Sequence, residues 1–306
     1  MRDYDAVVIG GGPAGMTAAL YLLRAGVKTA MVEKLSPGGQ VLMTEKIENY
    51  PGFPDGLEGW QLADYFAKQL DLYPHDMLND EVRSIKVGNP YHEMTVGDEV
   101  VRTKSIILAT GARYRKLGIP GEQEMIGRGV SYCALCDGNF YRDRTVAVIG
   151  GGNSALEESL YLARLVRKLY LIHRREDFRA AVCYQDKCFT NEKIEVVRST
   201  VVDEIVGDTE VKGVATRNVQ TGETSTIDVD GVFIFVGFEP IMDFVPEEVE
   251  RDKNGILTDN EMLTNVPGIF AAGDIRSKLC RQVATAVGDG ATAATSAFTY
   301  LEQLED

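Results

Sequence analysis

Residues 6–34 read AVVIGGGPAGMTAALYLLRAGVKTAMVEK, and residues 146–174 read VAVIGGGNSALEESLYLARLVRKLYLIHR. They align at a constant offset of 140 with no gap, so Gly10 falls on Gly150, Gly12 on Gly152, and Gly15 on Ala155. Val8, Ile9, Leu20, Tyr21, Leu22, Arg24 and Lys28 also fall on identical residues. Each copy runs from a β-branched stretch through Gly-x-Gly-x-x-Gly/Ala into a helical pattern and a second β-rich stretch. That is the order of a dinucleotide-binding βαβ unit. In such a unit the first glycine makes the tight turn out of the strand, and the second lets backbone approach a pyrophosphate. The third position must be small for the helix to pack on the sheet. The helix N-terminus then offers N–H groups and a partial positive charge to the phosphates. One glycine pattern alone often marks an ordinary turn; two in the same context, with chain enough for two domains, require a common cause. Gly10, Gly12, Pro13, Ala14 and Gly15 are the candidate contacts in the first copy, and Gly152, Asn153 and Ser154 in the second.

The copies part at the end of the second strand, where the unit places a group for the adenosine ribose. The first copy has Glu33 there, a carboxylate suited to ribose hydroxyls, followed by Lys34. The second has His173, then Arg174 and Arg175, with Arg179 one helical turn on. A bare diol gains nothing from three arginines, whereas a 2′-phosphate is held by their charge-assisted bonds. A solvated basic helix end is the plainer alternative. The first site is therefore expected to take FAD and the second NADPH.

Residues 101–111, VRTKSIILATG, read as a buried strand ending in a glycine turn, and residues 231–237, GVFIFVG, as its late counterpart. They mark where the chain leaves and re-enters the first domain. The expectation is an α/β protein of two Rossmann-like, three-layer dinucleotide-binding domains, the second inserted into the first. Residues 1–115 and 243–306 would form the FAD-binding domain, and residues 116–242 the NADPH-binding domain. Residues 269–274, IFAAGD, and a last helix from about Ala284 to Gln303 would complete the first. No low-complexity linker intervenes, so the hinges are expected to be short.

The 306 residues suffice for two cores, and fractions of 44% hydrophobic and 25% charged residues are those of a globular protein. With 32 basic and 46 acidic residues the net charge is −14. This balance repels phosphate backbones and anionic membrane surfaces, which argues against a nucleic-acid partner. No run approaches the roughly 20 apolar residues of a membrane helix. Met1-Arg2-Asp3-Tyr4-Asp5 opens onto only four apolar residues before the glycines, too few for a signal peptide. A cytoplasmic protein without membrane contact is expected. Five cysteines, an odd number, do not make a secreted disulfide framework.

Two of them stand close together in Cys133-Ala134-Leu135-Cys136, followed by Asp137 and Gly138. Two intervening residues let both sulfurs lie on one turn within disulfide distance. A zinc site would need a second Cys or His pair. His75, His92 and His173 are scattered and Cys183 and Cys188 are spaced differently, so no metal is expected. Beside a flavin and a nicotinamide site, the pair completes an electron path from NADPH through the flavin to the disulfide. The resulting dithiol would reduce an outside disulfide through a mixed disulfide. Asp137 is the nearest group to carry the leaving sulfur's proton; as an Asp–Gly step it also reads as a plain turn.

Together these residues resemble the low-molecular-weight thioredoxin reductases of the pyridine nucleotide–disulfide oxidoreductase superfamily, along the whole chain. The segment from Ser131 to Gly138 is similar to that family's redox segment, with Leu135 where a Thr is common. Lipoamide-dehydrogenase-like relatives carry their cysteines shortly after the first fingerprint, where this chain has Gly38-Gly39-Gln40. Here the pair sits just before the second. The resemblance implies thioredoxin as the partner, a homodimer, Cys136 facing the flavin and Cys133 engaging thioredoxin. It implies flavin contacts from Glu33, Lys34, Gly38, Gly39, Gln40 and Asn49, and from the Ala109-Thr110-Gly111 turn. Asp274, Arg281, Gln282 and Val283 join them by the same resemblance. His173, Arg174, Arg175, Arg179 and Gly237 are assigned to NADPH. Because the dithiol and the nicotinamide must meet one flavin, the inserted domain is expected to turn on its hinges, as in the family. Cys183, Cys188 and Cys280 match no family motif and read as spare thiols.

Other readings keep parts of this path. The dithiol could serve a peroxiredoxin or another thioredoxin-like protein. A diaphorase would use the flavin without the cysteines, and would keep its activity in Cys136→Ser. A nucleotide-dependent redox sensor would bind a partner without steady turnover.

Overall fold

In the computed structural model, which describes residues 2–44 and 46–304, the first fingerprint joins strand β1 (Arg2–Ile9) to helix α1 (Pro13–Arg24). Ala6, Val7, Val8 and Ile9 are all buried, as a strand covered on both faces requires. Pro13 opens the helix where no intrahelical N–H is needed. After β2 (Thr29–Val32) comes α2 (Gly59–Leu70), whose start is closed by a capping box between Glu58 and Gln61. Then follow β3 (Asp76–Leu78), β4 (Val82–Lys86), β5 (His92–Val96) and β6 (Glu99–Leu108). The sheet order is β3-β2-β1-β6-β5-β4, parallel from β3 to β6 and antiparallel beyond. A short strand, β7 (Ala112–Tyr114), leaves this unit.

The second unit opens with β8 (Val130–Ser131) and the single turn α3 (Ala134–Asp137). The second fingerprint joins β9 (Thr145–Gly150) to α4 (Asn153–Leu162), followed by β10 (Lys168–Ile172), α5 (Val182–Phe189) and β11 (Ile194–Val197). An antiparallel sheet of β12 (Thr200–Gly207), β13 (Val211–Asn218) and β14 (Thr224–Asp228) precedes β15 (Gly231–Phe235). Strands β11-β10-β9-β15-β8 form a parallel sheet. Val146, Val148, Leu169, Leu171 and Phe233 on one face pack with Leu156 and Leu162 of α4. Ala147, Ile149, Val232 and Ile234 on the other pack with Val202, Ile205 and Val214 of the antiparallel sheet. The layers are thus helix, sheet and sheet.

The chain returns through β16 (Phe238–Pro240), which pairs with β7. A two-stranded hairpin, β17 (Arg251–Asp252) with β18 (Gly255–Ile256), precedes β19 (Ile269–Ala271), which adds to β6 in parallel. Helix α6 (Val283–Gln303) closes the first unit by packing on α1. Ala293, Ala294 and Ala297 line that contact core, and a Cβ on Gly290 would lie 2.2 Å from the Ala14 carbonyl oxygen.

One unit holds the residues up to Arg113 and from Glu239 onward; the other is Tyr114–Phe238. The sequence reading set these crossings two and four residues later, in the segments that follow. Paired strands carry the chain across instead: Arg115 N–H donates to Gly237 O (3.0 Å) and Ile241 N–H to Gly111 O (3.0 Å). In the first fingerprint, a Cβ on Gly15 would lie 1.8 Å from Gly10 O, whereas the second copy buries Ala155 at the equivalent place. Gly15→Ala is expected to lower the unfolding free energy by about 1–3 kcal/mol. Denaturant titration of the variant beside the parent checks this, and an unshifted midpoint would mean that α1 has room to move off β1.

Candidate active site

Cys133 and Cys136 form a disulfide, with Cα atoms 5.3 Å apart. Cys133 is the N-cap of α3, and its Sγ accepts the Cys136 N–H at 3.2 Å. Strand β8 pins the turn: the Ser131 hydroxyl accepts the Cys133 N–H (3.1 Å) and donates to the Asp137 carboxylate (2.5 Å). Asp137 is therefore tied to the redox turn as well as following it in sequence. Between the sulfurs, Ala134 points into the core while Leu135 is 43% exposed. Tyr132 stacks on Tyr114, ring centroids 5.5 Å apart, and donates to Glu122 (2.8 Å). Burial and that carboxylate hold the Tyr132 phenol well above its usual range. Buried Glu122 also accepts the Leu117 and Gly118 N–H groups, at 2.9 and 2.7 Å.

The same unit contains a cleft of about 520 Å³ at the second fingerprint. Gly152, Asn153, Ser154, His173, Arg174, Arg179 and Gly237 line it, as the sequence reading expects of a nucleotide site. Arg175 is not among the lining residues; it lies exposed beside them, its carbonyl accepting the Ser199 N–H (3.2 Å). The N-cap of α4, Gly152, brings no side chain to the first N–H groups, which leaves them for an anion. The His173 ring covers Gly151, where a Cβ would lie 2.2 Å from Cε1, and its Nε2 stands 3.2 Å from Asp177 O. Burial, helped by Arg179 and Arg174, pushes its imidazole below the usual range. The His173 ring thus forms part of the cleft wall, with Arg174 and Arg179 at its edge. Arg115 and Lys116 line the same cleft and were not singled out from sequence, although Arg113-Tyr114-Arg115-Lys116 is a basic run at the point where the chain leaves the first unit.

The first unit holds a second cradle. Gly10 has φ of +106°, and a Cβ there would lie 2.5 Å from Ala109 O, which brings the 109–111 turn against the fingerprint. Thr110 of that turn donates to Ile241 O (2.7 Å). Gly12, the N-cap of α1, again brings no side-chain cap. Glu33 at the end of β2 accepts the Gly11 N–H (2.8 Å) and the Leu35 N–H (2.9 Å), so its carboxylate is fixed beside the glycines. Gly38 donates to Gly11 O (2.7 Å), the Gln40 amide donates to Ala112 O, and Asn49 donates to the Gln282 side chain (3.0 Å). Lys34 points away into an exposed ion pair with Glu81. Gln282 closes a capping box with Thr285 at the start of α6, next to Val283.

Asp274 follows β19 in a buried turn, and burial raises its carboxyl above the ordinary range while Lys278 and Arg281 pull it down. Among the described residues, its Oδ1 has no hydrogen-bond partner. Arg281 spans the loop, donating to the carbonyls of Asn254, Arg276 and Lys278. Asp289 of α6 fixes the turn by accepting the Gly273 N–H (3.0 Å), Lys278 Nζ (2.7 Å) and Arg276 (3.0 Å). An orphaned carboxylate oxygen, a glycine cradle and an uncapped helix start fit a dinucleotide that brings hydroxyls and phosphates.

Three features had no sequence signal: the Ser131 clamp, the Asp289 anchor, and Glu158 of α4. The Glu158 Oε2 is buried without a partner among the described residues. Burial first, and neighbouring Glu157 next, push its carboxyl up from 4.5 to about 7. The folded chain thus holds this proton more tightly than the unfolded chain, so stability falls as pH rises through that window. Glu158→Gln is expected to be about 2–3 kcal/mol more stable than the parent at pH 8 and nearly equal at pH 4.5. Paired urea titrations read this directly; a pH-independent difference would remove Glu158 as the source. Of the remaining cysteines, Cys183 and Cys280 are exposed. Cys188 is buried, donates to Leu156 O (3.4 Å), and is pushed up by burial to about 11. Among the described residues no group of three His, Cys, Asp or Glu could hold a metal ion, and no helix is long and apolar enough to cross a membrane.

The family model of pyridine nucleotide-disulphide oxidoreductases matches residues 4–290. A thioredoxin reductase of Listeria monocytogenes is 44% identical, with all of this chain and 96% of the relative covered. One of Treponema pallidum is 43% identical over 99% of both. The crystal structure of the Streptococcus pyogenes thioredoxin reductase superposes with a TM-score of 0.94, at 43% identity and 99% coverage of each chain. A redox disulfide beside one glycine fingerprint, a second fingerprint in the other unit and full-length likeness agree: the chain belongs to the pyridine nucleotide-disulphide oxidoreductases, and within them to the thioredoxin reductase family.

Proposed function

We propose that this chain is an NADPH-dependent, FAD-containing thioredoxin-disulfide reductase. The observation that carries the reading is the Cys133–Cys136 disulfide at the start of α3, in the same unit as a nucleotide cleft edged by Arg174 and Arg179. FAD would be held by Gly10–Gly15, Glu33, Gly38–Gln40, Asn49, the 109–111 turn, Asp274 and the start of α6. NADPH would lie on the uncapped N-terminus of α4, with the arginines at its 2′-phosphate. The flavin's contribution there is two-electron chemistry that links a nicotinamide hydride to a disulfide.

The chain's own residues account for the thiol steps. Opening the Cys133–Cys136 bond with two electrons and one proton leaves one thiol and one thiolate. The Cys136 N–H already directed at Cys133 Sγ favours the charge on Cys133, the sulfur proposed to meet the partner. Its attack on the partner's disulfide forms a mixed disulfide, which Cys136 then resolves, re-forming the internal bond and releasing the partner as a dithiol. Asp137, oriented by the Ser131 hydroxyl, is the proposed carrier of the proton lost and regained at sulfur. Thioredoxin is the proposed partner, because the full-length relatives bear that name. A homodimer is proposed on the same likeness.

Anaerobic addition of NADPH to the purified yellow protein should bleach its flavin absorbance, and oxidised thioredoxin should restore it. Cys133→Ser should still bleach but lose the restoration. Bleaching without restoration in the parent would move the acceptor to another dithiol protein; no bleaching would remove the NADPH assignment. Replacing Arg174 and Arg179 together by Gln should raise KM for NADPH by roughly tenfold or more, the size of a lost charge-assisted bond, and leave KM for NADH nearly unchanged. An equal loss with both donors would mean that these arginines do not meet a 2′-phosphate.

A further inference from the structure

We propose that Glu122 and Tyr132 are positioning residues that couple filling of the nucleotide cleft to the order of the redox turn around Cys133. The inference rests on the reading of that cleft as the nicotinamide-nucleotide site and of Cys133–Cys136 as the redox pair. Glu122 is 2% exposed, and three donors converge on its carboxyl group. Oε1 accepts the Leu117 N–H at 2.9 Å and the Tyr132 hydroxyl at 2.8 Å, and Oε2 accepts the Gly118 N–H at 2.7 Å. A carboxylate satisfies such a set; an amide, whose nitrogen cannot accept, does not. Leu117 lines the nucleotide cleft, and Tyr132 is joined directly to Cys133. One oxygen atom therefore ties the cleft wall to the residue before the proposed nucleophile.

A ring contact runs beside this bond. Tyr132 stacks on Tyr114, with centroids 5.5 Å apart and planes 16° from parallel, and Tyr114 also lines the cleft. Further along the segment, the Ile205 N–H donates to Pro120 O (2.9 Å), and a Cβ on Gly121 would lie 2.1 Å from Ile205 O. Its downstream end is thus fixed on β12, and the part that meets a ligand is the part that meets Tyr132. Strand β8 is the edge of the parallel sheet, and the residues after it straddle that edge. Tyr132 packs in the core on the cleft side with Leu117, Ile119 and Val202, whereas Ala134 is fully buried in the opposite core beside α4. Cys133 lies between these two anchors, its N–H held by Ser131 and its Sγ accepting the Cys136 N–H. A Tyr132 that turns rotates the peptide joined to Cys133. A ligand that immobilises Tyr114 and Leu117 removes that freedom, so the cleft and the redox turn share one ordering cost.

The test is hydrogen exchange of the oxidised holoprotein, read by mass spectrometry over residues 131–138 with and without saturating NADP+. NADP+ carries no hydride to give, so only the fit of the ligand is read. Exchange in the parent should slow roughly fivefold on binding, the lower end of the coupling between linked sites. Tyr132→Phe keeps the stack and removes the bond to Glu122; Glu122→Gln takes one acceptor from the cleft wall. Each should bind NADP+ and lose most of the slowing. A purely structural part for these residues would raise exchange equally in both states and leave the ratio at its parental value, which would overturn the proposal. Tyr132→Phe lacks a single hydroxyl and carries the test if Glu122→Gln does not fold. Calorimetry with NADP+ separates the two readings. Binding to the parent without slower exchange overturns the coupling alone, and absence of binding overturns it together with the nucleotide assignment.

Discussion

The closeness of backbone to backbone where α1 leaves β1 underlies the rest of the first unit. Gly15 has no room for a single extra carbon against Gly10 O, and Gly10 has none against Ala109 O. The contact holds the helix start, the 109–111 turn and the end of β2 within reach of one another, and Glu33 then fastens itself to the Gly11 N–H. α6 repeats the device from the other side, where Gly290 meets Ala14 O and a row of alanines lines the interface. Where bulky side chains would have filled the space, hydrogen-bonding backbone is left facing outward, which is the arrangement a phosphate cradle requires.

The second unit uses the same scaffold to a different end. Its fingerprint tolerates Ala155, its helix start is equally uncapped, and its β10 end carries arginines in place of a carboxylate. The redox turn is held by polar contacts rather than by apolar bulk. One serine hydroxyl orients both the Cys133 backbone and the Asp137 side chain, and a buried glutamate holds Tyr132 together with two N–H groups of the preceding loop. The hydroxyl has one proton to give, and of its two acceptors in reach the Asp137 carboxylate (2.5 Å) is nearer than Cys133 O (3.3 Å), while its lone pair takes the Cys133 N–H.

Much of this was legible in the chain because it repeats or because it is local. Two glycine patterns at one offset, the contrast of Glu33 with His173-Arg174-Arg175, and two cysteines two residues apart are patterns of spacing, and spacing is what a sequence displays. Ser131, Glu122, Glu158 and Asp289 take their meaning from neighbours that only folding brings near. Glu158 illustrates this: on α4 it reads as one of two adjacent acids on a helix, and only folding buries its Oε2 without a partner among the described residues. Arg175 shows the converse. Spacing grouped it with Arg174 and Arg179, but the turn after β10 directs its carbonyl to Ser199 and keeps it out of the cleft lining.

The pairing of β7 with β16 decides what the inserted unit costs the first one. The two ends of the inserted unit leave the host side by side, so to the host the entire unit is a loop closed between neighbouring strands. The entropy of closing a loop grows only logarithmically, about 0.6 kcal/mol for each doubling of length. Enlarging a short hairpin into a whole inserted unit therefore adds a closure cost that grows slowly with its length, provided that the insert builds its own core, as this one does with Val148, Leu171 and Phe233.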